Sequence, residues 1–199
     1  MKQNAEQIDT IIYGGAFNPP TRAHQAILQA CVERAERTGA EVWLLPSGDR
    51  TDKTIEVTRE DRLRMLEALI GDVLTRTIDV HVNVSELDQT RQTETYDTVT
   101  RLSLLHNDRR FIWVFGSDSV QTMPEWQQGQ WLVDNLPMLV VERPGTPILN
   151  LGRHAAQLEV ETAPISSTEV RSRLMQGEAV EDLVSPSVQR ILEQRMYTV

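Results

Sequence analysis

The chain of 199 residues carries one cysteine, Cys31. A disulfide within the chain and a cysteine-rich zinc site are both excluded. Positive charge is scarce too: 20 Lys and Arg against 29 Asp and Glu leave a formal net charge of -9. No basic surface for nucleic acid is therefore expected, and nucleic acid is not an expected partner. Any phosphate ligand must be held by a few local cations and by backbone N–H groups. Long apolar runs are missing as well. The N-terminal MKQNAEQIDT is polar, and no stretch resembles a signal-peptide core or a membrane span, so a cytoplasmic protein without a membrane partner is expected. Low-complexity segments and solenoid-length repeats are absent. His81, His106 and His154 show no metal-ligand spacing and read as structural or exposed, so no protein-built metal site is expected.

What the chain does contain is ordinary globular composition, 40% hydrophobic and 25% charged, too apolar for disorder. Its length suits one domain with a small helical C-terminal part beginning near residue 166. Apolar runs alternate with helical patterns. TIIYGG, EVWLLPSG, IDVHVNV, RFIWVFG and PMLVVERPG read as strands. Between them, residues 22–39 place Ala23, Ala26, Ile27, Ala30 and Cys31 at helical spacing and stop at Gly39. Cys31 falls on that apolar face and reads as a small core residue. Thr58 opens another helix, with Asp61 as its capping partner and Gly71 at its end. TYDTVTRLSLLHN is a third, and two more follow Ser167 and span about Ser185 to Met196. The alternation predicts an α/β fold with a doubly wound, mostly parallel sheet. Ligands in such folds bind at the carboxyl ends of the strands. The turns YGGAFNPPTRAH, LPSGDRTDK, VFGSDS and VERPG are therefore the places to look.

The first of these turns holds Gly14 and Gly15, whose missing Cβ atoms admit a close ligand and unusual backbone angles. Beyond them a helix begins near Thr21, with Thr21 and His24 on one face of its first turn. Both can donate hydrogen bonds to phosphate at an electropositive helix start. Equally, Thr21 can be a plain cap with His24 packed on the sheet. Neither the GxGxxG dinucleotide fingerprint nor a GxxxxGK[ST] phosphate loop is present. Residues 164–174, PISSTEVRSRL, set Ser166, Ser167 and Thr168 at a second helix start, with Arg171 one turn on. Hydroxyls, free donors and a guanidinium make a second anion site, or else a Ser cap with a solvated Arg. Two such helix starts without a nucleophile nearby suggest a nucleotide with a long phosphate chain.

GGAFNPPTRAH resembles the G-G-x-F-[DN]-P-x-[HT]-x-x-H signature of the nucleotidyltransferase superfamily, and ISSTEVR its I-S-S-T-x-x-R signature. DRLRMLEAL, ELD, TYDTV, FGSDS with PEW, VVERPG and SPSVQRILEQRMY are similar to bacterial nicotinate-nucleotide adenylyltransferases, so the likeness runs from Ile11 to Tyr197. It implies a Rossmann-like nucleotidyltransferase domain over 1–199, with ATP and a pyridine mononucleotide as substrates and Mg²⁺ held mainly by their phosphates. His24, Thr21 and Arg171 would be catalytic. Gly14, Gly15, Ala16, Phe17, Gly116, Asp118, Ser167 and Thr168 would bind ATP, the Asp118 carboxylate reaching the ribose. Lys53, Thr95, Trp126 and Arg143 would bind the mononucleotide, Trp126 by stacking. Thr21 stands where many members have His, and Ala23 where Gly is frequent. Sister adenylyltransferases acting on nicotinamide mononucleotide or 4′-phosphopantetheine, and a non-catalytic nucleotide sensor, are the rival readings. A homo-oligomer is compatible with all of them.

Overall fold

The computed structural model describes residues 7–48, 57–73, 77–89, 93–149 and 152–196. Its strands are β1 (Ile8–Gly15), β2 (Glu41–Pro46), β3 (Val80–Val82), β4 (Arg109–Gly116), β5 (Met138–Val141) and β6 (Ala155–Gln157). They form one sheet in the order β3-β2-β1-β4-β5-β6, and all neighbours run parallel. Helix α1 (Arg22–Thr38) links β1 to β2, α2 (Arg59–Gly71) links β2 to β3, and α3 (Thr95–Leu105) links β3 to β4. Between β4 and β5 lie α4 (Ser117–Thr122), a single 3₁₀ turn over Met123–Glu125, and α5 (Gly129–Asn135). Helices α6 (Ser167–Gln176) and α7 (Pro186–Met196) close the chain.

Period-two alternation divides the sheet's side chains between two cores. Ile11, Tyr13, Leu44, Val114 and Leu139 share one with Ile27, Leu28 and Cys31 of α1, Met65 and Leu66 of α2, Val170 of α6 and Val188 of α7. Ile12, Trp43, Trp113 and Val140 share the other with Val99 and Leu102 of α3 and Leu132 of α5. Each fully buried Leu or Ile contributes roughly 1.5–3 kcal/mol. The strand order reverses between β1 and β4: the chain leaves β1 for one face and β4 for the other. That reversal opens a crevice beyond their carboxyl ends, where the order of a doubly wound sheet puts its ligand.

Several boundaries follow from local chemistry. Gly39 takes the left-handed conformation (φ 72°) and its N–H reaches the Ala35 carbonyl, which ends α1. Thr58 caps α2, its hydroxyl accepting from the Asp61 N–H at 3.2 Å. IDVHVNV yields only three strand residues, because β3 is an edge strand pairing with β2 alone. Helices α4 and α5 and strand β6 lie outside the sequence expectation. They are short, and α4 and β6 bury little of their surface, so no hydrophobic period announces them.

Cys31 is fully buried, and burial pushes its thiol up to about 12. The folded state thus holds this proton more tightly than the unfolded chain does. The contribution is intact below the ordinary thiol range and is lost as pH rises through about 12. Urea midpoints of the native protein should fall between about pH 8 and about pH 10, and a Cys31→Ala variant should fall less. Equal slopes in the two proteins would contradict the burial assigned to Cys31.

Candidate active site

The turn after β1 is built by the side chain of Phe17. Phe17 adopts φ 46°, left-handed for a residue with a Cβ, and is fully buried. Its ring packs edge-on against Tyr13 (centroids 5.4 Å apart) and lies 5.2 Å from the His24 ring. A Cβ on Gly15 would stand 3.1 Å from that ring, so Gly15 is bare to admit Phe17. The expectation that both glycines take unusual angles for a ligand is corrected: the positive φ belongs to Phe17, and only Gly14 is exposed, a Cβ there coming no nearer than 3.8 Å to the Leu45 carbonyl oxygen. Phe17 can meet a nucleotide only through its backbone. Arg62 of α2, 3% exposed, donates to the Ala16 carbonyl at 3.2 Å, and Asn18 Oδ1 accepts the Val57 N–H at 3.3 Å. The turn is thereby braced from behind.

His24 is held by its Nδ1. The Thr21 backbone N–H lies 3.0 Å from that nitrogen and the Thr21 hydroxyl 2.7 Å from it. An N–H can only donate, so Nδ1 accepts and the neutral ring carries its proton on Nε2. Thr21 itself is fully buried. Direct donation from Thr21 to phosphate, expected from its place on the helix face, is therefore replaced by a supporting role. It caps α1 and sets the ring whose Nε2–H can meet an anion.

The second signature folds back onto the first. Ser166 caps α6 by accepting the Glu169 N–H at 3.1 Å. One residue on, the Ser167 hydroxyl donates to the Pro19 carbonyl at 2.8 Å. The Arg171 guanidinium donates to the Asn18 carbonyl, also at 2.8 Å, and reaches the Thr168 hydroxyl at 3.4 Å. The starts of α1 and α6 are thus neighbours, tied through consecutive carbonyls of the turn after β1. Thr168 remains exposed beside Arg171. Two helix N-termini, a histidine donor and a guanidinium meet at one mouth, an arrangement suited to a chain of phosphates.

At the end of β4, Gly116 leaves room for two charged groups. A Cβ there would lie 2.3 Å from Asp118 Oδ1 and 2.8 Å from Arg143 Nε. Asp118 is 62% exposed and 4.0 Å from Arg143. Arg143, expected among the mononucleotide residues, instead stands with Gly116 and Asp118. The Ser117 hydroxyl fixes this corner, accepting from the Arg143 N–H and donating to the Thr146 carbonyl. Thr95 opens α3 and Trp126 follows the 3₁₀ turn, its ring edge-on to Phe115 at 6.2 Å. Gln127 reaches Asp97 Oδ1 at 3.2 Å, which joins the Trp126 segment to the first turn of α3. Lys53 lies outside the described residues. Two buried charges escaped the sequence reading as individual residues: Arg62 and Glu86, which lie inside DRLRMLEAL and ELD, segments noted only for their likeness to adenylyltransferases. Their signal was a charge on the buried face of its element, visible only once the packing is known.

The family described as cytidylyltransferase-like matches residues 12–173, which takes in both signatures. The chain belongs to that family. Among curated relatives of this cytidylyltransferase-like chain, one from Geobacillus thermodenitrificans is 30% identical over 92% of this chain and 83% of its own length. Another, from Bordetella avium, is 29% identical over 94% and 96%. Both are named "Probable nicotinate-nucleotide adenylyltransferase". Among solved structures, the nicotinic acid mononucleotide adenylyltransferase of Plasmodium falciparum complexed with NaAD superposes with a TM-score of 0.80 over 95% of this chain and 96% of its own, at 22% identity. That likeness is one of fold. Among the described residues, no helix of this cytidylyltransferase-like chain is long and apolar enough to cross a membrane.

Proposed function

We propose that the protein transfers the adenylyl group of ATP to the phosphate of nicotinate mononucleotide, giving nicotinate adenine dinucleotide and pyrophosphate, a step of NAD biosynthesis. The observation that supports this is the junction of Ser167 and Arg171 with the Pro19 and Asn18 carbonyls, which joins the start of α6 to the turn leading into α1. A mononucleotide phosphate oxygen bonds to the α-phosphorus of ATP. The bond from that phosphorus to the bridging oxygen breaks, and pyrophosphate leaves with the electron pair. The nucleophile belongs to the substrate, so no Ser or Cys nucleophile is required.

Positioning and electrostatic stabilisation supply the catalysis. The His24 Nε2–H and Arg171 face the charge that develops on the leaving pyrophosphate. Asp118 takes the ribose hydroxyls of ATP, while Thr95 and Trp126 enclose the pyridine ring. Mg²⁺ would be held mainly by the substrate phosphates and water, and would supply charge neutralisation there.

Pyrophosphate release from ATP, measured with nicotinate mononucleotide, its amide and 4′-phosphopantetheine in turn, tests the reading. Release with nicotinate mononucleotide is the expected result. Release with the amide or the pantetheine compound alone reassigns the acceptor, and none with any of them overturns the function.

A further inference from the structure

Glu86 is 7% exposed in the turn that follows β3, and no step of the reaction above uses it. Both its carboxylate oxygens are occupied. Oε2 accepts from the Thr93 hydroxyl at 2.5 Å, and Oε1 accepts from the Thr98 hydroxyl at 2.9 Å and from the Arg101 guanidinium. Arg101 also donates to the Ser85 carbonyl at 3.1 Å. Thr93 precedes α3, while Thr98 and Arg101 lie in its first two turns. One buried carboxylate therefore grips the start of α3 on either side of Thr95. The same turn packs closely against the chain after β2: a Cβ on Gly48 would lie 2.6 Å from the Glu86 carbonyl oxygen. Ser47, next to Gly48, donates its N–H to the Gly15 carbonyl at 2.9 Å. A continuous path thus runs from the turn after β1, through the loop after β2, to Glu86 and the first turn of α3.

We infer that Glu86 is a positioning residue for the mononucleotide pocket, fixing Thr95 and the first turn of α3 against the loops after β1 and β2. The inference rests on the function proposed above. A buried carboxylate carrying three donors does not drift, because any displacement strands groups that lack water. Stability alone would be a sufficient reason for such a network, but its members bracket one edge of the pocket. The ATP side, built by the turn after β1, α1, α6 and the end of β4, meets this turn only through the Glu86 backbone and shares none of the groups that bond the Glu86 side chain. Loss of Glu86 should therefore act on one substrate and spare the other.

The test compares wild type, Glu86→Ala and Glu86→Gln by the KM for each substrate and by amide hydrogen exchange over residues 93–98. In Glu86→Ala the KM for nicotinate mononucleotide should rise ~10-fold, as displaced positioning groups do. The KM for ATP should stay within about twofold. Exchange over 93–98 should quicken, and Glu86→Gln, which still accepts hydrogen bonds, should recover most of both losses. Should Glu86→Ala fail to fold, Thr98→Val removes one of the donors and is read in the same way. Parallel rises in both KM values, or an unchanged mononucleotide KM, overturn the inference. A wild-type enzyme inert to every pyridine mononucleotide counts against the proposed function instead. Exchange then decides the anchoring by itself, and unchanged protection in Glu86→Ala overturns it.

Discussion

Replacing His24 with alanine is expected to lower kcat ~10²-fold or more while leaving the KM for the mononucleotide nearly unchanged. The ring stands at the start of α1, with Nδ1 held by Thr21, so its proton is on Nε2. A donor fixed in advance stabilises charge as it forms without reorganising, and is worth more in the transition state than in the ground state. Thr21→Ala makes the informative contrast. It removes the hydroxyl but keeps the backbone N–H that lies 3.0 Å from Nδ1. The loss of kcat should be much smaller, together with about 1 kcal/mol of stability for a lost cap. Steady-state kinetics with both substrates, alongside thermal unfolding, check the pair. If His24→Ala keeps near-normal turnover, the assignment of His24 is wrong.

Arg171→Ala should lower kcat/KM for ATP ~10²-fold or more, because two functions fail together. The guanidinium brings charge to the phosphate mouth, and it also donates to the Asn18 carbonyl at 2.8 Å, which binds α6 to the turn after β1. A lysine offers a point charge on a flexible stem and lacks the planar fork needed to serve a carbonyl and a phosphate at once. Arg171→Lys should therefore recover only a small part of the loss. ATP titrations of the three proteins read this directly. Full recovery by lysine would mean that Arg171 contributes charge alone and that its tie to Asn18 is incidental.

The sequence made the sheet and its main helices legible because periodicity and punctuation agreed. β1, β2 and β4 are apolar runs ending in Gly or Pro, and Gly39 and Thr58 mark a helix end and a helix start by chemistry that needs no tertiary context. The two signatures stand at the starts of α1 and α6, which the fold makes neighbours. What stayed hidden was relational. Gly15 reads as a gap for a ligand until the Phe17 ring is seen to fill it. Thr21 reads as a ligand donor until its burial assigns its hydroxyl to His24. Arg143 follows a strand as several phosphate-binding residues do, yet register puts it beside Asp118. Glu86 and Arg62 look like surface charges because a sequence reports charge without saying which way a side chain faces. β6 is only three residues long, too short to show a pattern.

The bonds from Ser167 to Pro19 and from Arg171 to Asn18 span 148 and 153 residues of chain. Contacts of that separation close after local ones, since the intervening loop entropy is recovered only when most of the sheet is in place. The junction of α6 with the turn after β1 is therefore expected to close late in folding. A chain that has formed its four central strands but not docked α6 would be compact, yet would lack the bonds that bring the starts of α1 and α6 together. If the proposed function holds, turnover during refolding should appear only once α6 has met the turn after β1.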